Sequence, residues 1–262
     1  TNWDDPLAPP PGFEDADEWC PNNFIIGIAD ANTHKDKRLP GNTSTVNEGG
    51  AQPSNAASFP ANVATLLNEI IQTELTNEGV QLLKSNGTPL APGPVNCCDG
   101  SAYLASLAYY ANSRDIRPDS ENTIQSRGRQ RVRSYFVDVR ESGSWGTGVS
   151  RTDARRRNQL WLAAKYGGYI DRNTVDPPGG PYPVATLDLG DAIADENSDG
   201  VIDIRDVWDR DGDWLPDNYY EAGSPEALVD GLRAAFSSIR AQVASAVGIN
   251  TSTRSFELQT DT

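Results

Sequence analysis

The sequence predicts an α/β fold: a mostly parallel sheet with helices on both faces. Three observations point there. Apolar runs of strand length alternate with longer amphipathic stretches, the first run is apolar throughout, and Gly- and Pro-bearing loops separate them. At 262 residues with 37% hydrophobic side chains, the chain has length and apolar content for one large domain with a buried core. Its 23 Gly and 18 Pro predict long loops.

Residues 1–23 are acidic, Pro-rich and aperiodic, and read as an arm or the end of an upstream insertion. Phe24 to Ala29 (FIIGIA) suits a strand buried on both faces and ends at Asp30. After a polar loop, Pro60 is expected to open a helix with Val63, Leu66, Leu67, Ile70, Ile71 and Leu75 on one stripe. Asp99 or Ser101 then caps a helix carrying Leu104, Leu107, Ala108 and Ala111. Val132 to Val139 (VRSYFVDV) is the next strand, and Asn158 to Lys165 (NQLWLAAK) a helix stopped by Gly167 and Gly168. Tyr169 and Ile170 begin a short strand. Ser224 caps the last helix, which runs from Pro225 to about Ala246. Its stripe is Leu228, Leu232, Ala235, Phe236, Ile239, Val243 and Val247.

No run of 18 apolar residues exists, so no membrane span is expected. The start at Thr1 lacks signal-peptide character and the chain holds no Met, so it reads as a mature or trimmed piece of a longer protein. A net charge of −15 argues against nucleic-acid partners. Two Arg groups, one at 127, 129, 131 and 133 and one at 151 and 155–157, read as solvated surface without interleaved aromatics. The three cysteines show no CxxC spacing. Cys20 bridged to Cys97 or Cys98, or a strained bond within the adjacent pair, are both open, and both need an oxidising compartment.

Chemistry concentrates in an insertion at about 188–221, where twelve acidic residues face only Arg205 and Arg210. Two unit charges about 4 Å apart repel by roughly 4 kcal/mol at an effective dielectric near 20, so folding such a segment calls for a counterion. Asp195, Asn197, Asp199, Gly200, Asp203 and Asp206 fall at positions 1, 3, 5, 6, 9 and 12 of a calcium loop. Val201 would supply a backbone carbonyl and Ile202 would anchor the loop in the core. Asp206 stands where such loops usually carry Glu; the shorter Asp is tolerated there, as in dockerin-type loops. Asp209, Asp211, Asp213 and Asp217 form a second cluster around Gly212, similar to the calcium-stabilised repeats of thrombospondin type 3 segments. All-oxygen donors select Ca²⁺ over Zn²⁺ or copper, so one ion is expected and a second is accommodated.

Several fragments resemble PilY-type proteins, the type IV pilus tip and biogenesis factors. They are FIIGIADANTH (24–34), AYYANSRDIRPD (108–119), YFVDV (135–139), LWLAAKYGGYID (160–171), DRDGDWLPDNYYEAGSPEAL (209–228) and ASAVGINTSTRS (244–255). The resemblance implies a von Willebrand factor A-like domain at 24–257, incomplete at its N-terminus, with a tail at 258–262. It implies a Gram-negative cell-surface location at the pilus tip, with minor pilins and a host or abiotic surface as partners. In that fold, Asp30 would join a metal-ion-dependent adhesion site. The DxSxS motif that completes such a site, and the family's C-terminal β-propeller, are missing from this sequence.

Enzyme classes fare poorly. His34 is the sole histidine, and no GxSxG, HExxH or phosphate-binding glycine loop is present. Dockerins need two loops separated by a helix, and Asp195 and Asp209 stand too close for that. The expectation is a non-enzymatic, calcium-binding adhesion or assembly module, with a structural filament subunit as the alternative.

Overall fold

The computed structural model describes residues 23–30, 39, 62–84, 86–93, 100–114, 131–140, 156–170 and 194–252. In chain order these form β1 (Asn23–Ala29), α1 (Val63–Asn77), α2 (Tyr103–Ser113), β2 (Val132–Asp138), α3 (Gln159–Gly168), a 3₁₀ turn (Ile204–Val207), β3 (Tyr219–Glu221) and α4 (Pro225–Ser252). The three strands form a parallel sheet in the order β1-β2-β3. Asn23 to Ala29 pair with Val132 to Asp138, and Phe136 to Asp138 pair with Tyr219 to Glu221.

The period-2 alternation of β2 sorts the helices onto two faces. Ser134 and Asp138 meet α3, around Gly167 and Asn158, whereas Tyr135 and Val137 meet α4 through Ser238 and Gly231. This α/β layering is compatible with a Rossmann-like fold. The main core lies on the first face, built from α1 residues such as Leu67 and Ile70, the α2 pair Tyr103 and Tyr109, the α3 residues Leu160, Trp161 and Tyr166, and Phe136 of β2.

Caps follow the local chemistry. Asn158 Oδ1 accepts from Leu160 N and Trp161 N (2.8 and 3.2 Å), starting α3. Asn62 caps α1 by accepting from Thr65 N, and Pro60 lies outside the described residues. Ser101 Oγ accepts from Tyr103 N at the head of α2 (3.2 Å). Ser224 Oγ does the same for Ala227 N at the head of α4, and α4 extends beyond the expected end, to Ser252.

Four expectations are corrected. First, β1 is not buried on both faces: Ile25 and Ile28 are about half exposed, because among the described residues only β2 pairs with it. Second, Tyr169 and Ile170 start no strand. Their backbone is satisfied one group at a time, Tyr169 O by Asn112 Nδ2 (3.1 Å) and Ile170 N by Val207 O (2.8 Å). Third, the expected apolar stripe of α4 is covered only in part, with Leu228, Leu232 and Ile239 half-buried. Phe236, Val243 and Val229 are exposed, while Gly231 and Ala235 are buried. Close approach to the sheet selects small residues there, since a Cβ on Gly231 would lie 3.2 Å from Tyr220 Cβ. Polar groups complete that face: Gln242 donates to Tyr135 Oη (2.6 Å) and accepts from Arg133 Nη1 (2.7 Å). Val247 is among the α4 residues whose side chains are not described.

The fourth correction concerns Gly167 and Gly168. The helix ends at Gly168 as expected, but both glycines belong to its last turn and neither has the positive φ of a glycine cap. Their use is proximity. A Cβ on Gly167 would lie 2.8 Å from Ala108 Cβ and 2.9 Å from Ser134 Cβ, and one on Gly168 would collide with the Asn218 side chain. Alanine at 167 improves helix propensity by about 1 kcal/mol. It is nonetheless expected to lower stability by about 1–3 kcal/mol through overpacking, as read by urea denaturation. A stabilised Gly167→Ala would refute the close-packing assignment.

Candidate metal centre

The acidic segment is fastened to the core by three apolar side chains. Ile204, Val207 and Trp208 are buried. Trp208 packs edge-on against Trp161 with 5.6 Å between ring centroids, and Lys165 Nζ lies 4.3 Å over its face. The expected anchor, Ile202, is 52% exposed, and Val201 is exposed too. The correction has a simple cause: the 3₁₀ turn after Asp203 rotates Ile204 and Val207 inward, leaving Ile202 on the outer strand of the loop.

The first loop is organised by its own carboxylates. Asp195 accepts from Asp199 N and Gly200 N (3.1 and 3.0 Å), and Asn197 Oδ1 accepts from Asp199 N (3.0 Å). Asp199 Oδ1 accepts from Val201 N (3.0 Å). Asp203 and Asp206 form a reciprocal capping box around the 3₁₀ turn. Asp206 is buried and reaches back to accept from Glu196 N and Asn197 N (2.8 and 3.1 Å). Gly200 sits at φ +90°, the left-handed region that the turn requires.

The second cluster brings carboxylates together. One oxygen from each of Asp209, Asp211 and Asp213 lies within 4.8 Å of the other two. Among the described residues this triplet has that geometry; Asp30, which follows β1 at the C-terminal edge of the sheet, is not in it. Asp209 is fully buried at the base, while Asp211 and Asp213 are exposed. Gly212, at φ +73°, allows the tight passage between them, and a Cβ there would lie 3.1 Å from Asn197 O of the first loop. Trp214 N donates to both Asp209 oxygens at 3.2 Å. Asp217 stands apart from the triplet, holding Arg210 through its backbone N–H and its guanidinium.

Arg205 joins the two halves. Its guanidinium donates to Asp199 Oδ2 (2.9 Å) and Asp209 Oδ2 (2.7 Å) and stacks on Trp214 at 3.6 Å. Burial pushes the Asp209 carboxyl upward, and Arg205 opposes that shift. The Arg205 clamp was legible only as a cation four residues before Asp209; its link to Asp199 depends on the fold. Asp211 and Asp213 also line a cleft of about 450 Å³, closed by Leu215, Tyr220 and Ala227. The donor set fits a hard divalent cation: hydrogen-bond acceptors only, one of them at the base of a turn, with two open to solvent.

A second polar centre, given no role on sequence grounds, lies at the C-terminal end of β2. Asp138 is fully buried and accepts from Arg140 N (2.9 Å), Asn158 Nδ2 (2.5 Å) and Tyr219 Oη (2.6 Å). Burial, with the Asp138 charge adding to it, pushes the Tyr219 phenol well up, so it stays a donor. The cluster ties β2, α3 and β3 together at the edge where parallel sheets carry their sites. The cysteines and His34 lie outside the described residues.

No family model matches the sequence, and no solved structure matches it. Among curated proteins, a type IV pilus biogenesis factor PilY1 homolog from Xylella fastidiosa is 33% identical over 267 residues, covering 99% of this chain. The chain spans 19% of that relative's length. The relative's name agrees with the fragments that pointed to pilus proteins, and the similarity runs through the acidic segment, β2 and α3 alike. The chain belongs to the PilY1-type type IV pilus proteins.

Proposed function

We propose that this chain is a non-enzymatic, calcium-stabilised adhesion or assembly module of a type IV pilus protein. The observation that carries this reading is the convergence of Asp209, Asp211 and Asp213 around Gly212, with Asp209 buried at its base. Three carboxylate oxygens so close together repel one another, and a divalent cation relieves that repulsion. The first ion belongs in the loop of Asp195, Asn197, Asp199, Val201, Asp203 and Asp206, whose N–H groups already orient the carboxylates. The second belongs at Asp209, Asp211 and Asp213, with Asp217 holding the exit of the turn. Arg205 would then yield Asp199 or share it with the ion.

On this reading calcium fixes the acidic segment against Trp208 and so holds β3 and α4 in place. The surrounding protein would be a cell-surface component at the pilus tip, meeting minor pilins and a host or abiotic surface. Its von Willebrand factor A-like character, with Asp30 at the sheet edge, belongs to the same proposal. So do a disulfide among Cys20, Cys97 and Cys98 and an extracellular location.

The test is calcium removal. Extracellular modules of this chemistry bind with dissociation constants on the order of 0.1–1 mM. At 10 mM Ca²⁺ the linkage is worth about 1.4–2.7 kcal/mol. Chelation is therefore expected to lower the melting temperature by roughly 3–10 °C in a scan with and without EDTA. Tb³⁺ should also luminesce on excitation of Trp214, with Asp209→Asn weakening that signal. Identical melting curves with and without chelator, together with a silent Tb³⁺ titration, would remove the proposal. A structural filament subunit has the same calcium dependence; regular fibres in electron micrographs of the purified chain would favour it.

A further inference from the structure

Beneath the Trp208 anchor, a buried cation sits between two glutamates. Lys165 on α3 is 2% exposed, and its Nζ contacts Glu74 Oε1 (2.6 Å) and Glu78 Oε1 across the interface with α1. Glu74 is 1% exposed. Its Oε1 also accepts a hydrogen bond from Tyr166 Oη (2.7 Å), whereas its Oε2 is buried with no hydrogen-bond partner. Indole rings wall the site, Trp208 at 4.3 Å and Trp161 at 5.5 Å from Nζ. An ion pair explains most of this arrangement and leaves Oε2 unexplained, since an orphaned, buried carboxylate oxygen is costly.

We propose that this cluster is a self-modifying site, in which Lys165 and Glu74 condense to an intramolecular amide that staples α1 to α3. Nζ is in contact with the carboxylate whose carbon it must attack, and apolar walls exclude the water that would compete. The Nζ–Cδ bond of Glu74 forms and its Cδ–Oε2 bond breaks. Oε2, the orphaned atom, leaves as water. The ammonium sheds two protons in becoming an amide N–H, and both depart on that water, so no oxidant or co-reactant is consumed. Glu78 is placed to relay them, because it also contacts Nζ and is the more exposed of the two carboxylates. Burial raises its affinity for a proton, against the pull of Lys165. Tyr166 Oη donates to Oε1, where negative charge develops in the tetrahedral intermediate, and keeps that bond in the product amide.

Among the described residues the other lysine, Lys84, is partly exposed, whereas Lys165 is 2% exposed. The product would join two helices far apart in sequence by a bond that neither acid nor denaturant reverses. The chemistry is independent of the metal reading.

Intact mass spectrometry of the purified, reduced chain tests it directly. The expected mass is one water, about 18 Da, below that of the sequence, with tandem spectra showing a branched peptide that joins Glu74 to Lys165. Lys165→Arg and Glu78→Gln, each verified as folded by circular dichroism, are expected to show the full sequence mass. An unmodified mass for the folded wild-type chain overturns the proposal, as does a water loss that maps elsewhere. Water loss persisting in Glu78→Gln overturns the relay assigned to Glu78. If the variants fail to fold, the wild-type mass and its peptide map still decide the question.

Discussion

Trp208→Ala is expected to cost about 3–5 kcal/mol of stability, the usual toll of emptying a buried aromatic site. Its indole is 3% exposed, packs on Trp161 and lies under the Lys165 ammonium. The backbone of the same residue receives a hydrogen bond from Asp217 N (2.9 Å) and donates one to Arg205 O (3.0 Å). The residue therefore joins the core to both halves of the acidic segment. Two readouts follow. In urea denaturation the midpoint should fall far more for Trp208→Ala than for Ile202→Ala, which removes a half-exposed side chain and should change stability by about 0.5 kcal/mol or less. In a Tb³⁺ titration the Trp208 variant should bind more weakly, because the turn carrying Asp209 loses its support. Equal effects of the two substitutions would show that the segment is not anchored through Trp208.

Asp138→Ala is the second large effect, at about 2–5 kcal/mol. Its removal takes the shared acceptor from two buried donors, Asn158 Nδ2 and Tyr219 Oη, leaving them only the bond from the amide to the phenol (2.9 Å), and each unsatisfied N–H or O–H costs about 1–3 kcal/mol. The damage spreads because Asn158 also caps α3 with its other amide atom. Asp138→Asn keeps the shape but sets a second amide against the Asn158 amide, so an intermediate loss is expected. Equilibrium unfolding of the two variants measures the order. A neutral Asp138→Ala would mean that the cluster at the end of β2 contributes nothing to holding β3.

The acidic segment illustrates how far spacing carries. Alternate acidic residues and a glycine at the sixth position predicted oxygens converging on an ion; in the structure the side chains of Asp195, Asn197, Asp199 and Asp206 accept from the backbone of their own loop. Each of those bonds spans ten residues or fewer, a range over which sequence order nearly decides geometry. Spacing ranked the first loop above the second, however, and the structure brings carboxylates together in the second. That outcome depends on Trp208 seating Asp209 in the core and on Asn197 of the first loop lying against Gly212. Neither relation has a signature at fixed offset.

The same division runs through the fold. From sequence alone came the first two strands, the four helices, the parallel sheet, the caps at Ser101 and Ser224, and the kinship with pilus proteins. All of these follow from periodicity, cap chemistry or residue identity, which are local. Tertiary structure alone decided which faces are covered. Gly167 and Gly168 read as a helix stop and also serve close contact with α2, β2 and Asn218; Phe236 reads as core but stands in solvent; Lys165, given no role by the sequence, is buried between Glu74 and Glu78. A residue's neighbours along the chain set its backbone geometry, while its burial is set by elements tens of residues away, so a pattern that correctly names a helix leaves open which side of it meets the sheet.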